Sequence, residues 1–418
     1  MTTKALILAS HFPGLGSRSV GIIKRLPALG VETTVITQSS VRGPRDPTTA
    51  REVKQSGVRV IETFAFHRSP FRILRRFLGL SSATRWCDDF FFFPDFDVLW
   101  APFAVRAATR LIRREKIDVI MTISPPESIH LVGLIVQRIT GVRWLADFED
   151  LWSAKTHVNR KPTPLHNKGM RALEKRVYER CSLLVANTRM NAGIYQRDFA
   201  IPREKIAILP LGFDPGDSLA QDSTRPRDGF TIGYLGNLTK ELFPWQELLQ
   251  ALKSARSRAP GMHIRLEICG YVSGEGVRYI AAEGLSDAVT LHGVLSHRDA
   301  VAIIRNCDAL AVLLYETPYS RPIVPHKLYH YLGMRKPILG IADEDGEVAS
   351  LLEKTNTGHV FSIKHLSELE SAILSHAETK RALGNIPFHP NEQEIELHDV
   401  TRIATDLADL LRGIDHDR

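Results

Sequence analysis

The sequence predicts an α/β protein built from two doubly wound, Rossmann-like halves that face each other across a cleft. Short apolar runs alternate with longer helix-period segments along 418 residues, the pattern of parallel strands joined by crossover helices. That length exceeds what a single hydrophobic core serves. One polar stretch, "GFDPGDSLAQDSTRPRDG" from Gly212, interrupts the rhythm with three glycines, two prolines and four aspartates, and reads as a linker. The expected division is residues 1–212, a linker at 213–228, a second half at 229–390, and a C-terminal helix within 391–418 able to pack back on the first half.

In the first half the expected strands are Lys4–Ala9, Val31–Thr37, Val58–Phe64, Ile117–Ile123, Val142–Asp147 and Leu183–Asn187, with helices over Ser17–Leu29, Glu127–Thr140 and Leu165–Arg180. After the linker, strands are expected at Phe230–Leu235, Ile264–Cys269, Val289–Leu291, Ala309–Leu314 and Pro337–Ala342. Helices are expected at Trp245–Ser257, His297–Asn306, Pro325–Gly333, Glu347–Glu353 and Gln393–Leu411. Ligands of such sheets bind beyond the strand C-termini, so the cleft is the expected site.

Hydrophobic residues make up 44% and charged ones 24%, an ordinary globular balance. The net charge of +7 favours anionic partners without naming one; nucleic acid is not among those expected. The four cysteines, Cys87, Cys181, Cys269 and Cys307, are scattered, which suits reduced thiols. The start "MTTKALILASHFPG" does not read as a signal peptide, and no run approaches the ~18 apolar residues of a membrane span. A cytoplasmic protein is expected.

Several loops beyond strand ends carry candidate chemistry. Gly14 and Gly16, in "SHFPGLGSRSVG", let backbone approach a ligand, or form a plain turn. In "TISPPESIH", Glu127 opens a helix, either as a favourable charge on its dipole or as an acceptor-binding group. In "LADFEDLW", Asp147, Glu149 and Asp150 crowd one strand end, which suits a hydroxyl-rich ligand or a solvated loop. The acid pairs of "PDFD" (Asp95, Asp97) and "DED" (Asp343, Asp345) lack a third ligand nearby, so no metal site is expected.

In the second half, "IGYLGNLTKE" offers Gly236, Asn237 and Lys240 to a phosphate. "EICGYVSGEG", with Gly270, and "LHGVLSHRD", with Gly293 and Val294, repeat the motif of strand, glycine and polar loop. The stretch "RPIVPHKLYHYLGMRKPIL" opens with Arg321 and two prolines that start a helix without losing a needed amide. The amides of His326–Leu328 and the charge of Lys327 suit a pyrophosphate, and Leu328, Tyr331 and Leu332 share its apolar face. His330 serves neither purpose.

The blocks "YLGNL", "HGVLSHRDAVAIIRNCDALAVLL" and "PHKLYHYLGMRKPILG" resemble the nucleotide-binding half of the family 4 glycosyltransferases. "PDFDVLW", "ISPP" and "DFEDLW" resemble their bacterial surface-polysaccharide subgroup. The resemblance implies a GT-B fold and metal-independent, usually retaining transfer from a nucleotide diphosphate sugar, with no cofactor. The donor would be UDP-, dTDP- or GDP-linked and the acceptor a glycan, a lipid-linked or a small-molecule hydroxyl. It places Asp147, Asp150 and Glu127 on the reacting sugars. Gly16, Gly236, Asn237, Lys240, Gly270, Gly293, Val294, Arg321, Lys327 and His330 would hold the donor. The family's pair of glutamates falls here on Pro322 and His330, a departure that keeps a non-catalytic GT-B-like binding protein or partner subunit as the alternative. The run Arg68–Arg85, with five arginines and no acid, suits peripheral contact with an anionic membrane or an ordinary amphipathic helix.

Overall fold

Leu8, at the end of the first strand, has Ile36 on one side and Thr122 on the other, which makes that strand the centre of a parallel sheet. The computed structural model describes residues 2–13, 18–39, 47–66, 90–153, 163–216, 229–239 and 243–413. Two units divide the chain: Met1–Pro210 with Val400–Arg418, and Leu211–Asp399.

The first unit holds strands β1 (Thr3–Leu8), β2 (Val31–Gln38), β3 (Arg59–Thr63), β4 (Val119–Ser124), β5 (Arg143–Phe148), β6 (Leu183–Ala186) and β7 (Ile206–Ile208). Their order is β3-β2-β1-β4-β5-β6-β7. Its helices are α1 (Arg18–Ile23), α2 (Pro47–Gln55), α3 (Ala101–Glu115), α4 (Ser128–Thr140), α5 (Pro164–Arg180) and α6 (Arg189–Phe199). Strand alternation divides the core into two layers. Leu6 and Leu8 pack with Trp100, Ala104 and Trp144 on one face, whereas Ala5 and Ile7 pack with Leu26, Leu407 and Leu411 on the other.

The second unit holds β8 (Phe230–Leu235), β9 (Ile264–Cys269), β10 (Val289–Gly293), β11 (Ala309–Leu313), β12 (Ile338–Ile341) and β13 (Gly358–Phe361), in the order β10-β9-β8-β11-β12-β13. Helices α7 (Trp245–Arg258), α8 (Gly274–Ala282), α9 (His297–Arg305), α10 (His326–Met334), α11 (Glu347–Thr355), α12 (Leu366–Leu383) and α13 (Glu392–Glu396) complete it. Both sheets reverse direction of winding once, between β1 and β4 and between β8 and β11. Those are the switch points at which doubly wound sheets take ligands.

Several elements depart from the sequence reading. Strands β7 and β13 have three and four residues, too short for a period to show. Helix α3 buries Ala101, Ala104 and Ala108, whose small side chains give a faint apolar stripe. The helix expected over Ser17–Leu29 is regular only through Ile23, and a 3-10 turn at Pro27–Leu29 follows, because Pro27 offers no amide to continue the ladder. The single helix expected over Gln393–Leu411 is two, α13 and α14 (Val400–Gly413). Between them Phe213 donates its N–H to the His398 carbonyl at 3.0 Å and forms a parallel bridge with Asp399. Helix α14 lies on α1 and β1 of the first unit, with Val400 against Gly21 and the Arg412 guanidinium donating to the Leu29 carbonyl. Among the described residues no helix is long and apolar enough to cross a membrane. The arginine-rich Arg68–Arg85 lies outside the described residues.

Candidate functional site

The C-terminal ends of β8, β9 and β10 are tied into one edge. The Gly236 N–H donates to the Cys269 carbonyl, and the Gly270 N–H to the Gly293 carbonyl, each at 2.8 Å. Asn237 reinforces the edge, its side-chain oxygen accepting the Tyr271 N–H at 3.0 Å. Gly236 and Gly270 adopt φ of 132° and 151°, a region side chains rarely enter. A Cβ on Gly270 would strike the Gly236 carbonyl, and one on Gly236 would sit 2.7 Å from the Lys327 ammonium. Gly293 faces open space, and Val294 beside it is 77% exposed. Lys240 lies outside the described residues.

Helix α10 begins at this edge, across the β8/β11 switch point. Pro325 precedes it in extended conformation, so the first amides point out of the helix end, where an anion is favoured. Leu328, Tyr331 and Leu332 are fully buried. The Tyr331 hydroxyl accepts the Leu235 N–H at 2.8 Å, which fastens the end of β8 to the helix. Lys327, half-buried as a residue, carries its ammonium inward. It donates to the Tyr234 hydroxyl at 2.9 Å and lies 4.1 Å from that ring and 4.9 Å from the Phe243 ring. Burial pushes its pKa down to about 7, because water is removed from the charge and no carboxylate among the described residues replaces it.

One turn on, the half-buried His330 has its ring 4.6 Å from His326 and 5.0 Å from His297, the first residue of α9. Arg321 is placed differently. It is exposed and bonds Asp343 at 2.6 Å and Asp345 at 3.5 Å, so the acids of "DED" fix it against the loop before α11.

In the first unit, Asp147 is buried near the end of β5, and its carbonyl accepts the Ser124 hydroxyl at 3.4 Å. Asp150 is half-buried two residues beyond the strand. The loop is anchored by buried Leu151 and Trp152 and by Glu174, which accepts the Ser153 N–H and, at 2.6 Å, the Tyr178 hydroxyl. Glu127 stands at the N-cap of α4 without a capping bond. That work is done from a distance by Asp95, whose carboxylate accepts the Ser128 N–H and hydroxyl, both at 2.8 Å. Gly16 lies outside the described residues.

The sequence reading missed a pair here. His11, just past β1, points its Nε2 at the carboxylate of buried Asp97, 3.3 Å away. Asp95 also accepts the Asp97 N–H at 2.8 Å, so both acids of "PDFD" serve this corner. Burial raises the Asp95 pKa. The missed signal is the histidine directly after the first strand, at what proves to be the β1/β4 switch point. Among the described residues no three His, Cys, Asp or Glu side chains gather as a metal site.

Residues 14–212 match the model of a glycosyl transferase 4-like domain. A D-inositol 3-phosphate glycosyltransferase of Corynebacterium urealyticum is 25% identical over 198 residues. The matched stretch spans 43% of this chain and 46% of that relative, less than half of its length. Among solved structures, a glycosyltransferase from Rickettsia africae superposes with a TM-score of 0.64 at 14% identity, covering 100% of both chains. WaaG, a glycosyltransferase involved in lipopolysaccharide biosynthesis, gives 0.60 at 14% identity over 98% of this chain and 100% of its own. The transferase-like domain and the unit that follows it thus share the two-sheet GT-B fold of those proteins.

Proposed function

We propose that this protein transfers a sugar from a nucleotide diphosphate sugar to a hydroxyl acceptor. The observation that carries the proposal is Lys327. An ammonium enclosed by two aromatic rings and a hydroxyl, with no carboxylate in ion-pair range among the described residues, is a costly arrangement that a phosphate at the α10 N-terminus would relieve. As charge develops on the departing diphosphate, the same ammonium and helix end stabilise it. Gly236, Gly270 and Gly293 bring backbone close enough to touch the nucleotide, and Asp147, Asp150 and Glu127 orient sugar hydroxyls. Retention and metal independence enter by resemblance to family 4. A lipid-linked acceptor accords with the lipopolysaccharide role of the structurally similar WaaG. Phe64 and Phe66, 55% and 41% exposed, lead into the Arg68–Arg85 segment, a combination that suits an anionic membrane surface.

The test is calorimetry of UDP, GDP, dTDP and ADP with the parent and with Lys327→Ala. One diphosphate should bind, and the variant should lose about 1.5–3 kcal/mol for it with little change for the matching nucleoside. Equal affinities of parent and variant would remove Lys327 from the site. Turnover of a nucleotide sugar separates transfer from a purely binding role. Flotation with anionic and neutral liposomes tests the membrane contact, which requires a preference for the anionic ones.

A further inference from the structure

We infer that Gln38 and Ser10 form a subsite that reads hydroxyls of a neutral sugar acceptor. The inference rests on the transfer reading above. Both residues stand at the C-terminal edge of the first sheet, the side on which doubly wound sheets take ligands. Gln38 closes β2, and Ser10 lies two residues beyond β1. The Gln38 N–H donates to the Ser10 carbonyl at 3.3 Å, which sets the two side by side. Gln38 lies two positions beyond Ile36, so the pleat turns its side chain toward the layer of Ile36, Leu8 and Trp100.

Burial and bonding set the pair apart. Gln38 is 3% exposed and Ser10 2%. Among the described residues, neither the carboxamide oxygen and nitrogen of Gln38 nor the hydroxyl of Ser10 has a hydrogen-bond partner. Other polar side chains on this edge are satisfied. The Thr63 hydroxyl, opposite Gln38 on β3, accepts the Trp100 indole N–H at 2.8 Å. The Thr37 hydroxyl accepts the Phe12 N–H at 3.1 Å and donates to the Ser10 carbonyl at 3.2 Å. Buried polar atoms without partners lower stability, and an apolar side chain at position 38 would avoid that cost. Local departures from good packing chemistry gather where a fold does its work.

The chemistry of these groups names the ligand. A carboxamide offers two N–H donors and one oxygen acceptor, and a serine hydroxyl both donates and accepts. Neither carries a charge, so neither selects a phosphate or a cation. Mixed donors and acceptors match hydroxyls, which also do both. Adjacent strands are about 4.8 Å apart, a span that one sugar ring bridges. The way in is short. His11 and Ser39, which follow Ser10 and Gln38 in the chain, are exposed, and rotation of the long Gln38 side chain about its own bonds brings the carboxamide to a ring lying on that edge. Gln38 and Ser10 are thus specificity-determining residues, which choose among acceptors and take no part in making or breaking bonds.

The test uses full-length protein, with UDP-glucose, UDP-galactose, GDP-mannose and dTDP-glucose as donors and the methyl glycosides of glucose, galactose and mannose as acceptors. Release of nucleoside diphosphate is the readout. For the glycoside that speeds release most, Gln38→Met and Ser10→Ala should each raise the acceptor KM about tenfold, while the donor KM stays within about twofold. The urea midpoint of Gln38→Met should not fall, because a side chain of similar length that needs no partner replaces an unmet carboxamide. A merely structural glutamine would give the reverse, a lower midpoint and an unchanged acceptor KM. A rise in acceptor KM of less than about threefold in either variant, or a midpoint that falls, would overturn the inference. So would a parent that releases diphosphate at a rate no glycoside increases. A parent that neither binds a nucleoside diphosphate nor releases one from any donor would overturn the transfer reading, and this inference with it.

Discussion

The Lys327 ammonium lies 2.9 Å from the hydroxyl of Tyr234 and 4.1 Å from the centre of its ring. Among the described residues its partners are thus a neutral oxygen and two aromatic faces, and its pKa falls from 10.5 to about 7. The folded, empty protein therefore binds fewer protons than the unfolded chain between those values, so its stability rises with pH across that window. A bound diphosphate restores the charge. At pH 8, binding of UDP or the preferred diphosphate should take up about one proton, measured by calorimetry in buffers of different ionisation heat. Lys327→Met should abolish the uptake. Uptake unchanged in the variant would place the proton elsewhere.

Tyr331→Phe removes the acceptor of the Leu235 N–H and changes nothing else in shape. The orphaned amide should cost about 1–3 kcal/mol, read as a lower urea midpoint. Because that bond holds β8 to α10, nucleotide affinity should fall as well, although Tyr331 is fully buried. An unchanged affinity would show that the glycine edge keeps its place without the bond.

His330→Glu should increase the preference for UDP over 2′-deoxy-UDP. A glutamate accepts from both ribose hydroxyls, whereas a neutral imidazole offers one acceptor and one donor. The expected gain is about 1.5–3 kcal/mol in the difference between the two affinities. A ratio that does not move would mean that His330 faces its neighbours His326 and His297 rather than the ribose.

Gly133→Ala tests the first unit. A Cβ at Gly133, inside α4, would lie 2.5 Å from the indole of Trp144 and 2.8 Å from the Thr122 methyl. Trp144 is fully buried and its N–H is bonded to the Thr122 hydroxyl at 2.8 Å, so it cannot swing aside. Overpacking of this kind costs about 1–3 kcal/mol, and the urea midpoint should fall accordingly. A midpoint equal to the parent's would mean that α4 shifts freely.

The fold was legible because buried parallel strands are nearly continuous apolar runs. "FTIGYL" and "IRLEIC" coincide with β8 and β9 to the residue. Where the apolar signal is carried by alanine, as in α3, or where a strand is three residues long, as in β7, the sequence is mute. The glycines of the second sheet could be found because each follows a strand, and Lys327 because prolines announce its helix. That Tyr331 uses its hydroxyl on β8, or that Asp97 reaches His11 from 86 positions away, depends on tertiary proximity. No local pattern encodes such pairings. Arg321 shows the converse. A cation beside a helix start invites a phosphate, yet two aspartates more than 20 positions downstream hold it.

Helix α14 imposes an order on biosynthesis. Its apolar side, Ile403, Leu407 and Leu411, belongs to the same core layer as Ile7, Val31 and Val35, but some 190 residues of the second unit are translated between Pro210 and Val400. At about 5–20 residues per second, the nascent first unit waits roughly 10–40 seconds with that flank uncovered. During this interval the emerging chain presents an apolar surface to chaperones and to other nascent chains. Folding of the second unit is thereby nested inside the folding of the first, and the first sheet is sealed only once α14 has been made.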